Sequence, residues 1–416
     1  TGSGAGYRIQ NTGANANVNL NITSGSENIG AAIIGTGGMF SNTGKINLTD
    51  TSTAGKNIGI YSDSAYVNTS GEVNLTAKGN DVGIYLKNAS TGVFGGKISL
   101  NSSGNNYDFG VYYDDTLGTA PDIASTFELS GKSAGVFSTN KVINFSGVIN
   151  MTDRAMASTD SVGLLYGIKS GSPTNIVTNN GTINARKGTG IYVYNDSASL
   201  ARTITNNSGK SINASEGGVG IAAETKGTYA AGQEITINNL GTISNVSNSA
   251  LQSSIGIYAK NQDVKVTGSG TLHVESPNKE NVGIYVNKGK VTFESNILLG
   301  ENGIGAYLNG ASSNSIASTL DIGTTASTIT QNTNTQGIGV VAKGEKAYVN
   351  ILGNGINLSG FNASNKGSLG VYLENANLDN TSNTGIKVGD YGTGAYLSSV
   401  GNGRTVNLGN ITTGNN

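Results

Sequence analysis

The amino-acid sequence predicts an all-β fold, a right-handed parallel β-helix (β-solenoid) with about three short strands per turn and corner loops of variable length. Two recurring segments carry this prediction: one centred on glycine, of the Val/Ile-Gly-Ile-Tyr type, and one that reads Gly-x-Ile-Asn-Leu. Apolar and polar residues alternate in both, which is the pattern of a half-buried strand. A helical solenoid would keep a stricter period and would be richer in Leu, Ala, Glu and Lys.

The most compact repeat runs from Val282 to Gly303 and contains three strand-like pieces, Val-Gly-Ile-Tyr-Val-Asn, Lys-Gly-Lys-Val-Thr-Phe-Glu and Asn-Ile-Leu-Leu-Gly. Each piece ends at Gly, Asn or Lys, where the backbone can turn. The pattern restarts at Ile304. We therefore interpret this stretch as the minimal turn, to which other turns add residues at their corners.

The glycine at the centre of the first segment marks each turn, and we call it the anchor glycine. Fourteen anchors follow one another at a mean spacing of 28 residues, with individual spacings of 22 to 36. They are Gly30, Gly59, Gly83, Gly110, Gly135, Gly163, Gly190, Gly220, Gly256, Gly283, Gly305, Gly339, Gly370 and Gly394. The sequence thus predicts about 14 turns, and we expect residues 1–416 to form a single continuous β-helix segment, cut from a longer solenoid.

The Gly-x-Ile-Asn-Leu segment follows each anchor, for example at Gly44–Leu48 and Gly71–Leu75. A weaker strand such as Ala65–Val67 lies between the two, giving three strands per turn. A rise of about 4.8 Å per turn would make a rod on the order of 65–70 Å long. Parallel strands joined through a whole turn favour the right-handed connection.

Strict alternation assigns the faces of the anchor strand. In the segment at residues 82–86, Val82, Ile84 and Leu86 are expected to face inward, and Gly83 and Tyr85 outward. An aromatic residue stands two positions after the anchor in 10 of the 14 turns. These are Tyr61, Tyr85, Tyr112, Phe137, Tyr192, Tyr258, Tyr285, Tyr307, Tyr372 and Tyr396, and the exceptions are Ala32, Leu165, Ala222 and Val341.

Composition excludes several classes of function. The 25 Lys and Arg residues nearly balance the 26 Asp and Glu residues, and no basic patch suggests nucleic acid or an anionic membrane surface. Cysteine is absent, which excludes disulfides, Cys-based metal sites and a Cys nucleophile. No apolar run has the 18 or more residues of a spanning helix. The first residues do not read as a signal peptide, so any targeting segment is expected outside this sequence.

Glycine-Ile-Tyr segments that alternate with Gly-x-Ile-Asn-Leu segments, in a Cys-free chain rich in Asn, Ser and Gly, resemble the passenger regions of type V autotransporters. The chain looks most like the large fusobacterial outer-membrane adhesins, the RadD-like group, over about residues 16–411. The resemblance implies a β-helical passenger on the bacterial cell surface. It also implies a signal sequence and a β-barrel translocator elsewhere in the full protein.

The outward aromatic row admits two interpretations. It is either a structural ladder of stacked rings or a stripe that stacks on sugars or on a partner protein. The densest local candidate for ligand binding is Tyr112, Tyr113, Asp114 and Asp115, which is followed by a long corner, Thr116–Asp122. Aromatic faces beside carboxylates suit a glycan or protein contact, carboxylates alone would suit Ca²⁺, and a solvated corner would need no ligand.

Other long corners are weaker candidates for recognition: Thr152–Ser161, Glu224–Glu234, Ser244–Ser254 and Asn309–Thr319.

Catalytic patterns are lacking. The one histidine, His273, alternates with Leu272 and Val274 and is expected on the surface. No nucleophile elbow, phosphate loop or calcium-binding repeat occurs, so we expect no enzyme, no cofactor and no metal. The sequence favours a non-enzymatic adhesin that presents loops to a host or bacterial glycan or protein. A pure spacer and, more remotely, a carbohydrate-active β-helix enzyme are the alternatives.

Overall fold

The computed structural model describes most of the chain. The described residues are 8–13, 15–52, 55–151, 161–195, 201–246, 252–276, 280–323, 327–332, 335–359, 367–398 and 403–414. The chain divides into two compact units, residues 1–193 (unit 1) and residues 194–416 (unit 2), each of which is considered by itself below.

Each unit is a parallel β-solenoid, so the predicted fold class is confirmed. The described residues form strands, turns and bends without a helix, and their strands stack in parallel with three strands per turn and about 13 turns. The number of turns agrees with the predicted number of about 14. A single continuous segment over residues 1–416 stays a prediction.

Within each unit, the strands that carry the anchor glycines pair in one sheet, the anchor row. In unit 1 they are Ile29–Ile34, Ile58–Asp63, Val82–Lys87, Asp108–Tyr113, Ser133–Ser138 and Val162–Ile168. In unit 2 they are Val219–Thr225, Ile255–Lys260, Val282–Asn287, Gly303–Asn309, Gly337–Lys343, Leu369–Glu374 and Thr393–Ser398. The strand Thr189–Asn195 also carries an anchor and contains the division between the units.

The weaker strands form the middle row. In unit 1 they are Arg8–Asn11, Met39–Asn42, Tyr66–Thr69, Thr91–Phe94, Asp122–Ile123, Ile143–Phe145 and Asn175–Asn179. In unit 2 they are Arg202–Asn206, Glu234–Asn239, the first parts of Asp263–Glu275 and Gly289–Leu299, then Ser318–Ile322, Ala347–Ile351, Asn377–Asn380 and Val406–Asn407.

The Gly-x-Ile-Asn-Leu segments form the closing row, which shares a second sheet with the middle row. In unit 1 its strands are Asn17–Ile22, Lys45–Asp50, Glu72–Ala77, Lys97–Ser102, Thr126–Ser130, Val148–Met151 and Thr182–Arg186. In unit 2 they are Ser211–Ser215, Thr242–Val246, the later parts of Asp263–Glu275 and Gly289–Leu299, then Thr328–Gln331, Ile356–Leu358, Ile386–Val388 and Ile411–Thr412.

The compact repeat lacks a full corner between its second and third strands. Both lie in one continuous strand, Gly289–Leu299, which pairs with the equally fused strand Asp263–Glu275. The register between them shifts between Thr267 and Thr271. The minimal turn therefore has three strand segments, as predicted, but fewer corners than its sequence suggests.

The interior is an aliphatic stack that is repeated from turn to turn. In the anchor row Ile84 pairs with Val111, and in the closing row Val73 pairs with Ile98, and all four side chains are buried. No single turn can remove its inner face from water, so the stability of the fold comes from contacts between neighbouring turns.

The prediction of strict alternation is wrong at the anchor glycine. Val282 packs on the outside of the sheet with Ile304, Tyr285 and Tyr307. Gly283 faces the interior instead, because a Cβ atom built on it would lie 3.0 Å from Cγ2 of Val274. Two successive residues, the anchor glycine and the isoleucine after it, thus face inward. The residue before the glycine and the aromatic residue after the isoleucine face outward together.

Close approach of the backbone explains why the anchor is glycine. A Cβ atom on Gly83 would lie 2.7 Å from the carbonyl oxygen of Gly110, and one on Gly110 would lie 2.6 Å from that of Gly135. The same holds in unit 2, where a Cβ atom on Gly283 would lie 2.5 Å from the carbonyl oxygen of Gly305. These distances are too short for any side chain.

Replacing an anchor glycine should therefore destabilise the fold. We expect Gly83→Ala to cost roughly 1–3 kcal/mol, because the methyl group would contact backbone and the side chain of Leu75 within a packed interior. Gly95→Ala is the matched control, since its added methyl meets no atom within 4 Å. Denaturant unfolding followed by circular dichroism measures both, and equal midpoints for the two variants would contradict the assignment.

Candidate functional site

The outer face of the anchor row in unit 1 is apolar and aromatic, and we call it the outer stripe. It is built from two kinds of residue, the one before each anchor glycine and the one two positions after it. From the strand Ile29–Ile34 to the strand Val162–Ile168, its members are Ile29, Ala32, Ile58, Tyr61, Val82, Tyr85, Phe109, Tyr112, Ala134, Phe137, Val162 and Leu165.

The rings of the outer stripe stack on one another across successive turns. Tyr61 and Tyr85 stack at 5.6 Å between ring centroids and Tyr85 and Tyr112 stack at 5.1 Å, whereas Tyr112 and Phe137 lie 4.9 Å apart with their rings tilted by 40°. Phe109 meets the edge of Tyr112 at 5.5 Å. Offset and edge contacts of this kind add about 0.5–1.5 kcal/mol each beyond buried area. The row is therefore a ladder over these turns.

The structure separates the two tyrosines of the predicted ligand site. Tyr112 lies in the outer stripe, half-buried between its neighbours. Tyr113 is 1% exposed, pairs in register with interior Leu86, and donates a hydrogen bond from its hydroxyl to the carbonyl oxygen of Pro121 at 3.1 Å. Tyr113 is thus part of the interior and does not line the surface.

Both predicted carboxylates have partners within the chain. Asp114 accepts hydrogen bonds from the hydroxyls of Tyr85 and Thr116 and from the backbone N–H of Thr116. Desolvation would raise the pKa of Asp114, but these hydrogen bonds outweigh it and hold the pKa below its usual value. Asp115 accepts a hydrogen bond from Thr139 and lies 3.3 Å from Nζ of Lys169. The carboxylates mainly brace the corner that follows the strand.

A better-shaped site lies where the ladder lacks a ring. Ala32 pairs in register with Tyr61, and its short exposed side chain leaves one face of that ring uncovered. A shallow groove of about 410 Å³ lies along Tyr61 and Tyr85, lined by both kinds of stripe residue and by three charged side chains, and Ala32 is adjacent to Tyr61 in the sheet without lining the groove itself. The lining residues are Glu27, Ile29, Lys56, Ile58, Tyr61, Tyr85 and Lys87.

We call this groove the Ala32 rung. Sequence reasoning missed it because the alanine counted only as an exception to the aromatic pattern. The other exceptions in the described residues do not leave an open ring. Leu165 is 4% exposed, and Ala222 and Val341 are each 6% exposed, so other side chains cover these three positions. In unit 2, Val341 packs between Tyr307 and Tyr372.

The chemistry of the Ala32 rung combines an aromatic face with hydrogen-bonding groups. The ring of Tyr61 offers an apolar surface, Lys56 and Lys87 offer donors, and Glu27 offers acceptor oxygens. A volume of this size lies within the range of small-molecule sites. The groove can hold a small, flat, partly polar ligand.

The other predicted recognition corners are described only in part. Residues 152–160 and 247–251 lie outside the described residues. The corner Glu224–Glu234 is held closed by Asp263, which accepts hydrogen bonds from the hydroxyl of Tyr229 at 2.7 Å and from the N–H of Gly232 at 3.0 Å. In Asn309–Thr319, the hydroxyl of Ser318 donates to the backbone oxygen of Asn309 at 2.6 Å. Both described corners are tied to the solenoid.

His273 lies on the closing row of unit 2, with Nε2 3.4 Å from a carboxylate oxygen of Glu275. Among the described residues, no group of three or more His, Cys, Asp or Glu side chains is arranged to hold a metal ion. The same residues include no helix with the length and hydropathy needed to cross a bilayer.

The chain matches no protein-family model, no curated protein and no solved structure. The resemblance to autotransporter passengers therefore stays a prediction.

The separation of Tyr112 from Tyr113 has a measurable consequence. Tyr113→Ala should lower the free energy of unfolding by about 3–5 kcal/mol, because it empties a buried ring-sized volume and removes the hydrogen bond to Pro121. Tyr112→Ala removes a half-buried ring and should cost less than about half as much. Denaturant unfolding of the two variants tests this. A larger loss of unfolding free energy for Tyr112→Ala than for Tyr113→Ala would mean that Tyr112, and not Tyr113, is the buried ring.

Proposed function

We propose that this chain is a non-enzymatic surface adhesin segment that binds a glycan at the Ala32 rung of unit 1. The observation that carries the proposal is the uncovered face of Tyr61, next to a groove with charged groups at its rim. By contrast, Tyr85 and Tyr112 each have an aromatic neighbour in the turn before and in the turn after, and Phe137 lies between Tyr112 and buried Leu165.

The chemistry favours a sugar over other small ligands. The C–H face of a pyranose ring stacks on an aromatic ring, and its hydroxyls need both donors and acceptors at the edge. Successive rings of the outer stripe lie one turn apart, with 5.6 Å between the ring centroids of Tyr61 and Tyr85, so each ring face has room for one flat group. A bound sugar would lie in the groove against Tyr61, whose neighbour in the preceding turn, Ala32, supplies no ring.

The proposed location follows from the resemblance to autotransporter passengers. We propose that the segment is displayed outside a bacterial cell and is anchored to the outer membrane by a translocator region beyond this sequence. The low content of charged residues, their near-balance in sign and the lack of cysteine are compatible with that location. Attachment to host cells or to other bacteria would then be its role.

A spacer without binding of its own is the second candidate. The regular stacking of Tyr85, Tyr112 and Phe137 favours it, since stacked rings stabilise the sheet without a ligand. The carboxylates beside them also have partners within the chain. A carbohydrate-active enzyme has less support, because it would need acidic and basic groups that converge on one groove, and the Ala32 rung offers one carboxylate, that of Glu27.

Glycan-array screening of the full chain tests the proposal. We expect binding of at least one glycan class, with Tyr61→Ala weakening it by about 10-fold or more, the usual effect of losing a central stacking contact. Ala32→Tyr should also abolish binding, because the new ring would complete the ladder and cover Tyr61.

The matched control is Tyr372→Ala, which removes a stacked ring from the equivalent row of unit 2 and should leave glycan binding unchanged. Circular dichroism confirms that each variant is folded. No binding to any glycan or cell surface by the wild-type chain would favour the spacer. Binding that survives both Tyr61→Ala and Ala32→Tyr would remove the Ala32 rung as the site.

A further inference from the structure

A column of buried polar residues runs across the turns of unit 1, at the corner that leads into the anchor row. The backbone N–H of Asn57 donates to Oδ1 of Asp81 at 2.8 Å, and the N–H of Asp81 donates to Oδ1 of Asp108 at 3.0 Å. Each side chain thus caps the backbone of the preceding turn. The relative exposure is 0% for Asn57 and Asp81 and 1% for Asp108.

A third carboxyl group joins this column from the end of a closing-row strand. Asp50 is 2% exposed, and its Oδ2 accepts a hydrogen bond from the side-chain amide of Asn57 at 2.8 Å. The same amide donates to Oδ1 of Asp81 at 2.8 Å. Asp50, Asp81 and Asp108, which we call the carboxyl column, therefore form one buried, connected group.

Two oxygen atoms of the carboxyl column have no hydrogen-bond donor. Oδ2 of Asp81 and Oδ2 of Asp108 are both fully buried without a hydrogen bond of normal geometry, and the hydroxyl of Ser102 lies near the Asp108 carboxyl, where its influence lowers the pKa of Asp108 but does not outweigh burial. A buried carboxylate oxygen without a donor is costly when it is charged. Protonation of Asp81 or Asp108 removes the negative charge and converts the unpartnered carboxylate oxygen into a hydroxyl that can donate a hydrogen bond.

The charged groups around the column do not offset its negative charge. The strongest charge interactions of Asp81 are with Asp108 and Asp50, and that of Asp108 is with Asp50. Two lysines of the neighbouring corners direct their ammonium groups elsewhere. Lys132 lies over the ring of Tyr107 and Lys56 lines the surface groove.

Burial is the main cause that raises the pKa of Asp81 to about 7, and repulsion from Asp108 and Asp50 adds to it while hydrogen bonds from Asn57 oppose it. Burial likewise raises the pKa of Asp108 to about 6. An aspartate in the unfolded chain titrates near pH 3.9. The folded unit therefore holds protons, between about pH 4 and about pH 7, that the unfolded chain releases.

We propose that the carboxyl column is a pH-sensitive lock, in which protons on Asp81 and Asp108 hold this corner of unit 1 closed in mildly acidic solution and their loss near neutral pH loosens it. The stabilisation is fully present below the titration range of the unfolded aspartates. It is lost as the pH rises through the range in which the folded groups titrate. This inference does not depend on glycan binding.

Unit 2 provides an internal comparison. In its corresponding corner the N–H of Ser254 donates to Oδ1 of Asn281 at 2.8 Å, and Asn281 is 0% exposed. Its side-chain amide donates to the backbone oxygens of Asn245 and Glu275. An uncharged amide thus makes the same cross-turn bond, and this corner should not respond to pH.

Hydrogen exchange of the full chain, measured at about pH 5 and about pH 8 and corrected for the intrinsic exchange rate, tests the lock. The amides of Val82 and Phe109, which donate across turns to Asn57 and Asp81, should be about 10-fold or more better protected at the lower pH, as one pKa unit of differential protonation requires. The amides of Val282 and Ile304 in unit 2 should show no such change.

Two sets of variants complete the test. The double variant Asp81→Asn/Asp108→Asn should keep strong protection at both pH values, whereas Asp115→Asn, which alters a half-exposed carboxylate, should retain the wild-type pH response. Asn281→Asp should introduce a pH response in unit 2, which keeps the proposal testable if the double variant does not fold.

Equal protection of Val82 and Phe109 at both pH values in the wild-type chain would overturn the proposal. A pH response that persists in the double variant would do the same. The proposal would also be overturned if adding Ca²⁺ or Mg²⁺ restored protection at about pH 8 and EDTA reversed the effect. That result would mean that a bound cation, and not a proton, stabilises the corner.

Discussion

The fold depends on the close approach of successive anchor glycines. Between Gly83 and Gly110, and between Gly283 and Gly305, a Cβ atom would lie within 2.7 Å of a carbonyl oxygen of the next turn. Only a residue without a side chain fits there, and the inward kink places the glycine and the residue after it on the same face. The residue before the glycine must then face outward, together with the aromatic residue. The outer stripe is thus a consequence of backbone geometry.

The same geometry gives the stripe its capacity for binding. Rings held in register at 4.9 to 5.6 Å cover one another's faces. A ladder without gaps therefore exposes no ring face on which a ligand could stack. A gap matters only where the small residue stays exposed. Ala32 is exposed, whereas Ala222 is covered, although both stand at the same position of the repeat. Binding is therefore expected from a local omission in a regular structure.

The sequence was sufficient to predict three strands per turn, parallel stacking and the inward side chains Ile84 and Leu86, because period-two alternation is a strong signal. It was not sufficient at Val282, since the kink at the anchor shifts the alternation by one residue. Tyr113 is a different kind of error. Its place one residue after outward Tyr112 predicts an inward side chain. The density of aromatic and acidic residues in this stretch does not show which of them reach the surface. The Ala32 rung required distances and exposures that no pattern contains.

The carboxyl column shows that cross-turn capping does not require charge. Asn57 and Ser133 occupy the column on either side of Asp81 and Asp108, both are fully buried, and both are neutral. The fold therefore accepts neutral side chains at this position, and the amide of Asn57 makes the same kind of bond, since its Oδ1 accepts a hydrogen bond from the N–H of Asn28 at 3.1 Å. Two adjacent aspartates, with a third contributed by Asp50, add desolvation and repulsion that an asparagine would avoid. What distinguishes the aspartates from their neutral neighbours is the ability to gain and lose a proton, and a corner whose stability varies with pH is the direct physical result.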